Sequence, residues 1–189
     1  MCIRDRLDRK MGQRGAHTCD VIFEDYRVPA ANLIGGREGA GFATAMKVLD
    51  KGRLHIAAVC VAAAERMLAD ALTYALERRQ FGEPIAHFQL VQAMLAEMKI
   101  RIEATSLLVR KAAWNLDRGI RDPMTSACAK AYGADAAMQS AIDAVQVFGG
   151  NGYVKEYPVE KLMRDAKVLQ IYEGTAQIQR LVIAKHVLG

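Results

Sequence analysis

Four short stretches of this 189-residue chain hold residue types that could do chemistry. The last of them, QIYEGTAQIQR at 170–180, sets a single carboxylate, Glu173, between Tyr172 and the pair Gly174-Thr175. Glu173 is either a solvated residue in a turn or a base held in apolar surroundings. LDKGR at 49–53 places Asp50 and Arg53 one helical turn apart. That spacing also suits a plain surface ion pair, worth about a few tenths of a kcal/mol. In ERRQFGEPIAHFQ at 77–89 a helix ends in arginines, and Gly82 and Pro84 force a turn. Arginines in a last turn complement the helix dipole without any ligand. QVFGGNGY at 146–153 carries three glycines where a helix end needs one or two. The surplus lets backbone approach another group closely.

Metal and disulfide chemistry find no support. Cys2, Cys19, Cys60 and Cys128 share no CxxC or metal spacing, and His17, His55, His87 and His186 form no HxxxH pair. A reducing compartment is the default for such a chain. IGGREGAGF at 34–42 lacks the third glycine of GxGxxG and any GK[ST], so it reads as a boundary loop. The net charge is +5, with arginines spread along helical segments and no aromatic-plus-basic platform. Dedicated nucleic-acid binding is disfavoured, whereas an anionic, phosphate-bearing small ligand suits the charge. No apolar run reaches membrane-spanning length, and MCIRDRLDRK has no apolar core of a signal peptide.

The elements that must position these residues are mostly helices. Apolar residues make up 52% and aromatics only 6%, which favours packed helices over a β-sandwich. Val61, Ala64, Leu68, Ala71, Leu72 and Ala75 fall on one stripe of a long helix. Val91, Met94, Leu95, Met98, Ile102 and Val109 do the same for a second. Asp122-Pro123 opens a third helix as N-cap and first-turn proline, with a stripe through Met138, Ile142 and Val145 to Phe148, stopped by Gly149-Gly150. Pro158 opens a short fourth helix, and Thr175 caps a last one ending near His186. Short connections make this an antiparallel four-helix bundle. Ahead of it, TCDVIFEDYRV at 18–28 reads as one strand closed by Pro29, with no partner in view. The first six residues fit nothing that follows and read as a scar or a start inside a longer frame.

Taken in order, these clusters resemble one family, the acyl-CoA dehydrogenases. The similarity runs from about Lys10 to Gly189 through MGQRG, VIFEDYRVP, LDKGR, RRQFG, QVFGGNGY, EYPVEKLMRDAK and IYEGTAQIQR. It covers the family's C-terminal four-helix-bundle domain, at 36–189, and a remnant of its middle β-domain, at 1–35. About half of the usual enzyme is absent, so the fragment on its own is expected to be inactive.

The resemblance implies FAD as cofactor and an acyl-CoA as substrate, in fatty-acid or branched-chain amino-acid catabolism. Glu173 matches the catalytic base that removes the α-proton while a β-hydride leaves for the flavin. Chemistry supports a carboxylate there, because a thioester α-proton is weakly acidic and its base must be shielded from water. Tyr172 matches a wall of the acyl pocket. Gly174, Thr175 and Gln177 match flavin contacts, and capping by Thr175 is compatible with that role. Arg78, Gln80 and Phe81 match residues that reach the FAD of a neighbouring subunit, Arg78 at the pyrophosphate. Gln89 resembles another residue of that site. Gln146, Val147, Phe148, Gly149 and Gly150 resemble the loop along the adenosine end. Asp50 and Arg53 resemble the pair that holds the CoA portion. One branch of the family carries its base at the position of Gly52, which has no carboxylate here.

A shared cofactor implies a homotetramer built as a dimer of dimers, with an electron-transfer flavoprotein taking the electrons. The compartment is the bacterial cytoplasm or, in a eukaryote, the mitochondrial matrix. Two rivals stand beside this reading. One is an acyl-CoA oxidase, which passes electrons to oxygen. The other is a non-catalytic helical module for oligomerisation or acyl-CoA binding.

Overall fold

The structure, a computed structural model, describes residues 2–4 and 7–189. Two short strands, β1 (Cys2–Arg4) and β2 (Val21–Phe23), form an antiparallel ribbon with Ile3 opposite Ile22. Helix α1 (Gly41–Glu77) follows, then a tight ribbon of β3 (Arg79–Gln80) and β4 (Glu83–Pro84). Helices α2 (Gln89–Asp117), α3 (Pro123–Phe148), α4 (Val159–Ala166) and α5 (Ala176–Leu188) complete the chain. It is the mainly α bundle expected, with α3 at its centre packed on α1, α2, α4 and α5.

The capping signals work locally as the sequence predicts. The Asp122 carboxylate accepts from the Thr125 amide at 2.9 Å, the Thr125 hydroxyl at 2.5 Å and Asn115 Nδ2 at 2.8 Å. Burial pushes this carboxyl up, but those hydrogen bonds outweigh it and hold the group below the usual range. Such a cap contributes about 1 kcal/mol. Thr175 Oγ1 accepts from the Ile178 amide at 3.1 Å and starts α5. Gly149, at φ +60°, ends α3.

The core is built largely from small residues. Ala134, Ala137, Ala141 and Ala144 of α3 are fully buried, as are Ala57, Ala71 and Ala75 of α1. Where α1, α2 and α3 meet, a Cβ added at Gly133 would lie 2.8 Å from Thr105 Cγ2 and 3.4 Å from Cys60 Cβ. Close backbone approach is the means by which this bundle reaches interior density. At one end larger rings fill the space. Phe148 stacks on Tyr74 with ring centres 4.0 Å apart, and Tyr157 packs edge-on to both.

Two expectations need correction. The strand over 18–28 shortens to three residues, and its partner lies within the chain, at Cys2–Arg4. Asp25, at φ +46°, turns the backbone out of extended geometry just after Phe23. Of the six opening residues, Met1, Asp5 and Arg6 lie outside the described residues. The helical stripes are also shifted. Met67 is buried while Leu72 is 44% exposed, and Ala141 and Ala144 are buried while Ile142 is 39% exposed. Over seven to ten turns, several neighbouring residues look equally apolar. The face that turns inward is the one whose side chains fit the opposing alanines.

Candidate active site

Glu173 sits in the turn between a 3₁₀ turn at Lys167–Gln170 and α5. Its φ is +54° and that of Gly174 is +84°, so two successive residues occupy the left-handed region. For a glutamate this conformation is uncommon and marks a constrained site. The turn presents the carboxylate to α1. Glu173 Oε2 is shielded from solvent and has no hydrogen-bond partner among the described residues. It lies against Gly52, where an added Cβ would collide with Oε2 and stand 3.1 Å from Cδ. A buried carboxylate oxygen without a donor is costly unless something outside the chain completes it. This places Glu173 apart from a solvated turn residue.

Tyr172 is half-buried against the core. Burial pushes its phenol up, opposed by a hydrogen bond with Gln13. Gln13 itself is anchored on α4, where its amide donates to Asp165 Oδ1, and Arg164 donates to Met11 O at 2.9 Å. The MGQRG stretch therefore backs Tyr172. Gln177 is exposed on the first turn of α5. On α1, Arg53 Nη1 donates to Asp50 Oδ1 at 2.8 Å. Arg53 is 9% exposed and its Nε is buried without a partner. Asp50 is the tenth residue of α1. It borders a cavity of about 80 Å³ reaching to Asn115, Arg121 and Ser126.

The other predicted residues gather at the far end of α1. Arg78 and Gln80 share a cleft of about 350 Å³ with Val147, Phe148, Gly149 and Gly150. Two stretches nearly seventy residues apart in sequence thus meet, because α3 ends beside the end of α1. No described carboxylate pairs with the Arg78 guanidinium within ion-pair distance. A Cβ on Gly150 would meet nothing within 4 Å, and its φ is not in the left-handed region. Neither backbone strain nor packing asks for glycine there. Phe148 and Val147 turn their side chains into the core, so this wall of the cleft is largely backbone and ring edge. Phe81 is 95% exposed with φ +53°, and Gln89 and Gln146 are exposed nearby.

The structure therefore makes two groups of the predicted residues. Gly52 and Arg78 are separated by 26 residues of one continuous helix, about 39 Å at ~1.5 Å per residue. Glu173, Tyr172, Thr175, Asp50 and Arg53 lie toward one end. Arg78, Gln80, Phe81 and the Gln146–Gly150 loop lie at the other.

Sequence reasoning missed two residues beneath the Glu173 turn. Lys130 of α3 and Gln179 of α5 are both fully buried. Lys130 Nζ donates to Gly174 O at 2.7 Å, and Gln179 Nε2 donates to Glu173 O at 3.3 Å and Gly174 O at 3.2 Å. A lysine amid the alanines of ACAKAYGADAA was the available signal. Its stripe position is apolar on both sides, where a polar residue needs a buried partner.

Comparison with known proteins bears out the fold and shows the family. The family description "Acyl-CoA dehydrogenase, C-terminal domain" matches residues 39–188. An acyl-CoA dehydrogenase of Bacillus subtilis (strain 168) is 50% identical over 184 residues, covering 97% of this chain and 48% of that protein. The solved structure of butyryl-CoA dehydrogenase from Megasphaera elsdenii superposes with a TM-score of 0.96 at 44% identity, over 100% of this chain and 49% of that one. A chain in the solved structure of the electron transferring flavoprotein of Acidaminococcus fermentans also gives 0.96 at 44% identity, over 99% and 49%. The chain spans about half the length of the relatives it matches. Among the described residues no helix is long and apolar enough to cross a membrane. The chain belongs to the acyl-CoA dehydrogenase family, to the C-terminal helical domain of those enzymes.

Proposed function

We propose that this chain is the C-terminal part of an FAD-dependent acyl-CoA dehydrogenase that converts a saturated acyl-CoA to the trans-2-enoyl-CoA. Residues 1–35 are then the remnant of a middle β-domain and 36–189 the bundle. The observation that carries the reading is the shielded, unpaired Oε2 of Glu173 facing Gly52. A general base must be free to accept a proton and must have space beside it for the donor. Glu173 has no competing donor among the described residues, and the missing Cβ of Gly52 leaves the room that its carboxylate occupies against α1.

The rest of the chain binds and orients. Arg53 and Asp50 offer a fixed cation and its partner for the CoA portion, and the unpaired Nε of Arg53 is a donor not yet used. Tyr172 walls the acyl chain. A bound flavin supplies the hydride acceptor. The chain's own residues suit such a ligand, with Thr175 and Gln177 near the base and, at the far cleft, an arginine without a described carboxylate partner and a glycine that leaves room beside it. Because these groups stand about 39 Å apart on one helix, they serve two different cofactor molecules. That supports sharing of FAD between subunits in a homotetramer, a dimer of dimers. The flavoprotein-associated relative supports an electron-transfer flavoprotein as acceptor, with a bacterial cytoplasm as its setting.

Arg78→Ala in the flavin-loaded enzyme carrying this chain is expected to weaken FAD retention more than acyl-CoA binding. A desolvated arginine–phosphate contact is worth about 1.5–3 kcal/mol, or roughly tenfold to a hundredfold in affinity. Flavin release measured by ultrafiltration reads this directly, and an unchanged dissociation constant returns Arg78 to a helix-end charge.

The chain by itself is expected to purify colourless and without dehydrogenase activity. The resemblance puts the wall over the flavin ring in the family's β-domain rather than in its bundle, and a base left in water loses strength. A yellow preparation with stoichiometric FAD, bleached by butyryl-CoA, contradicts this.

A further inference from the structure

We infer that Lys130 and Gln179 are positioning residues that clamp the backbone of the Glu173 turn and thereby aim the Glu173 carboxylate at Gly52. The inference rests on the reading of Glu173 as the base.

Burying Lys130 completely in an alanine-rich helix face needs a reason, because an amine leaving water loses strong solvation. An apolar side chain would fill the position more easily. Burial pushes the Lys130 ammonium down, and Arg53 adds to that, while Cys60, Asp135 and Glu173 pull it back up. Those groups from α1, from α3 and from the turn are the charged and titratable neighbours the side chain faces. Cys60 stays a thiol, pushed up to about 12 by burial despite Lys130 beside it. The hydrogen bond that Lys130 makes goes to none of them. It goes to the carbonyl of Gly174, at 2.7 Å.

Gln179 reaches the same peptide units from the other side. Its Nε2 forks across the carbonyls of Glu173 and Gly174. It also lies directly beneath Gly174, where an added Cβ would stand 2.5 Å from Nε2. Its own Oε1 is buried without a partner, so its placement serves the amide nitrogen. Two elements, α3 and α5, thus donate to two consecutive carbonyls of a turn whose two residues are both left-handed. Without these donors Glu173 relaxes toward ordinary backbone geometry. Its Cα–Cβ bond then swings away from α1.

The test uses the flavin-loaded enzyme carrying this chain, with butyryl-CoA as the probe. Lys130→Met keeps length and volume but removes the donor. It is expected to slow flavin reduction about 10²-fold, the scale of a misplacement near 1 Å, with acyl-CoA affinity and flavin content unchanged. The melting temperature should hold or rise, since an apolar replacement lifts the burden of a buried amine. Hydrogen–deuterium exchange over 172–176 should accelerate. A purely structural lysine would lower melting temperature and activity together. Gln179→Met removes the second donor and is expected to act in the same direction, which keeps the test open if Lys130→Met does not fold. A reduction rate within about threefold of wild type in both, or loss in both explained by unfolded or flavin-free protein, overturns the proposal. If Glu173→Gln reduces flavin normally, the base reading fails instead, and the exchange data still decide whether the clamp exists.

Discussion

Glu173→Gln in the flavin-loaded enzyme carrying this chain is expected to retain FAD and acyl-CoA and to slow flavin reduction by several orders of magnitude. The substitution preserves the size and planar shape of the side chain, so the close fit against Gly52 persists. What it removes is the ability of Oε2 to take a proton. Base catalysis alone contributes about 10²–10⁴-fold. A neutral amide also ceases to balance charge in the reacting complex, which adds to the loss. Anaerobic mixing with butyryl-CoA, followed by flavin absorbance, separates binding from chemistry. Near-normal bleaching of the flavin would sink the assignment of Glu173 as base.

Gly52→Ala is the second large effect expected, and it pairs slower chemistry with a fold at least as stable. Gly52 lies inside α1, where alanine is favoured over glycine by about 1 kcal/mol. The new methyl, however, occupies the space of Glu173 Oε2. The carboxylate end is flexible and yields, so the fold survives while the base is displaced. Flavin reduction should fall about 10²-fold, with a melting temperature equal to or above wild type. A variant that is more stable and equally fast means that the glycine serves packing alone and that Oε2 has latitude in its placement. A variant that is less stable means that the carboxylate cannot move aside and that the Gly52 contact is part of the fold.

Much of this protein was legible in the linear sequence because the signals involved are local. Asp122-Pro123, Thr175 and Gly149 fix helix ends within three or four residues, through hydrogen bonds and backbone angles that neighbours along the chain supply. The motifs of the family, in order, identified the bundle and named Glu173, Arg78 and the Gln146–Gly150 loop as residues worth attention. Periodicity placed the long helices but not their phase, as Met67 over Leu68 and Ala144 over Ile142 show. Phase depends on the opposing surface, which no single helix contains.

The sequence by itself thus determined which segments are helices, where α3, α4 and α5 start, and the family to which the chain belongs. The tertiary structure alone decided four things. It set Gly52 against the Glu173 carboxylate across 121 positions of sequence. It put Lys130 and Gln179 under the turn, brought Arg78 beside Gly150, and paired the Val21–Phe23 strand with Cys2–Arg4. Each of these is a contact between residues whose separation along the chain carries no signal. Within the bundle their meeting depends on how the alanine-rich faces of α1 and α3 close on one another.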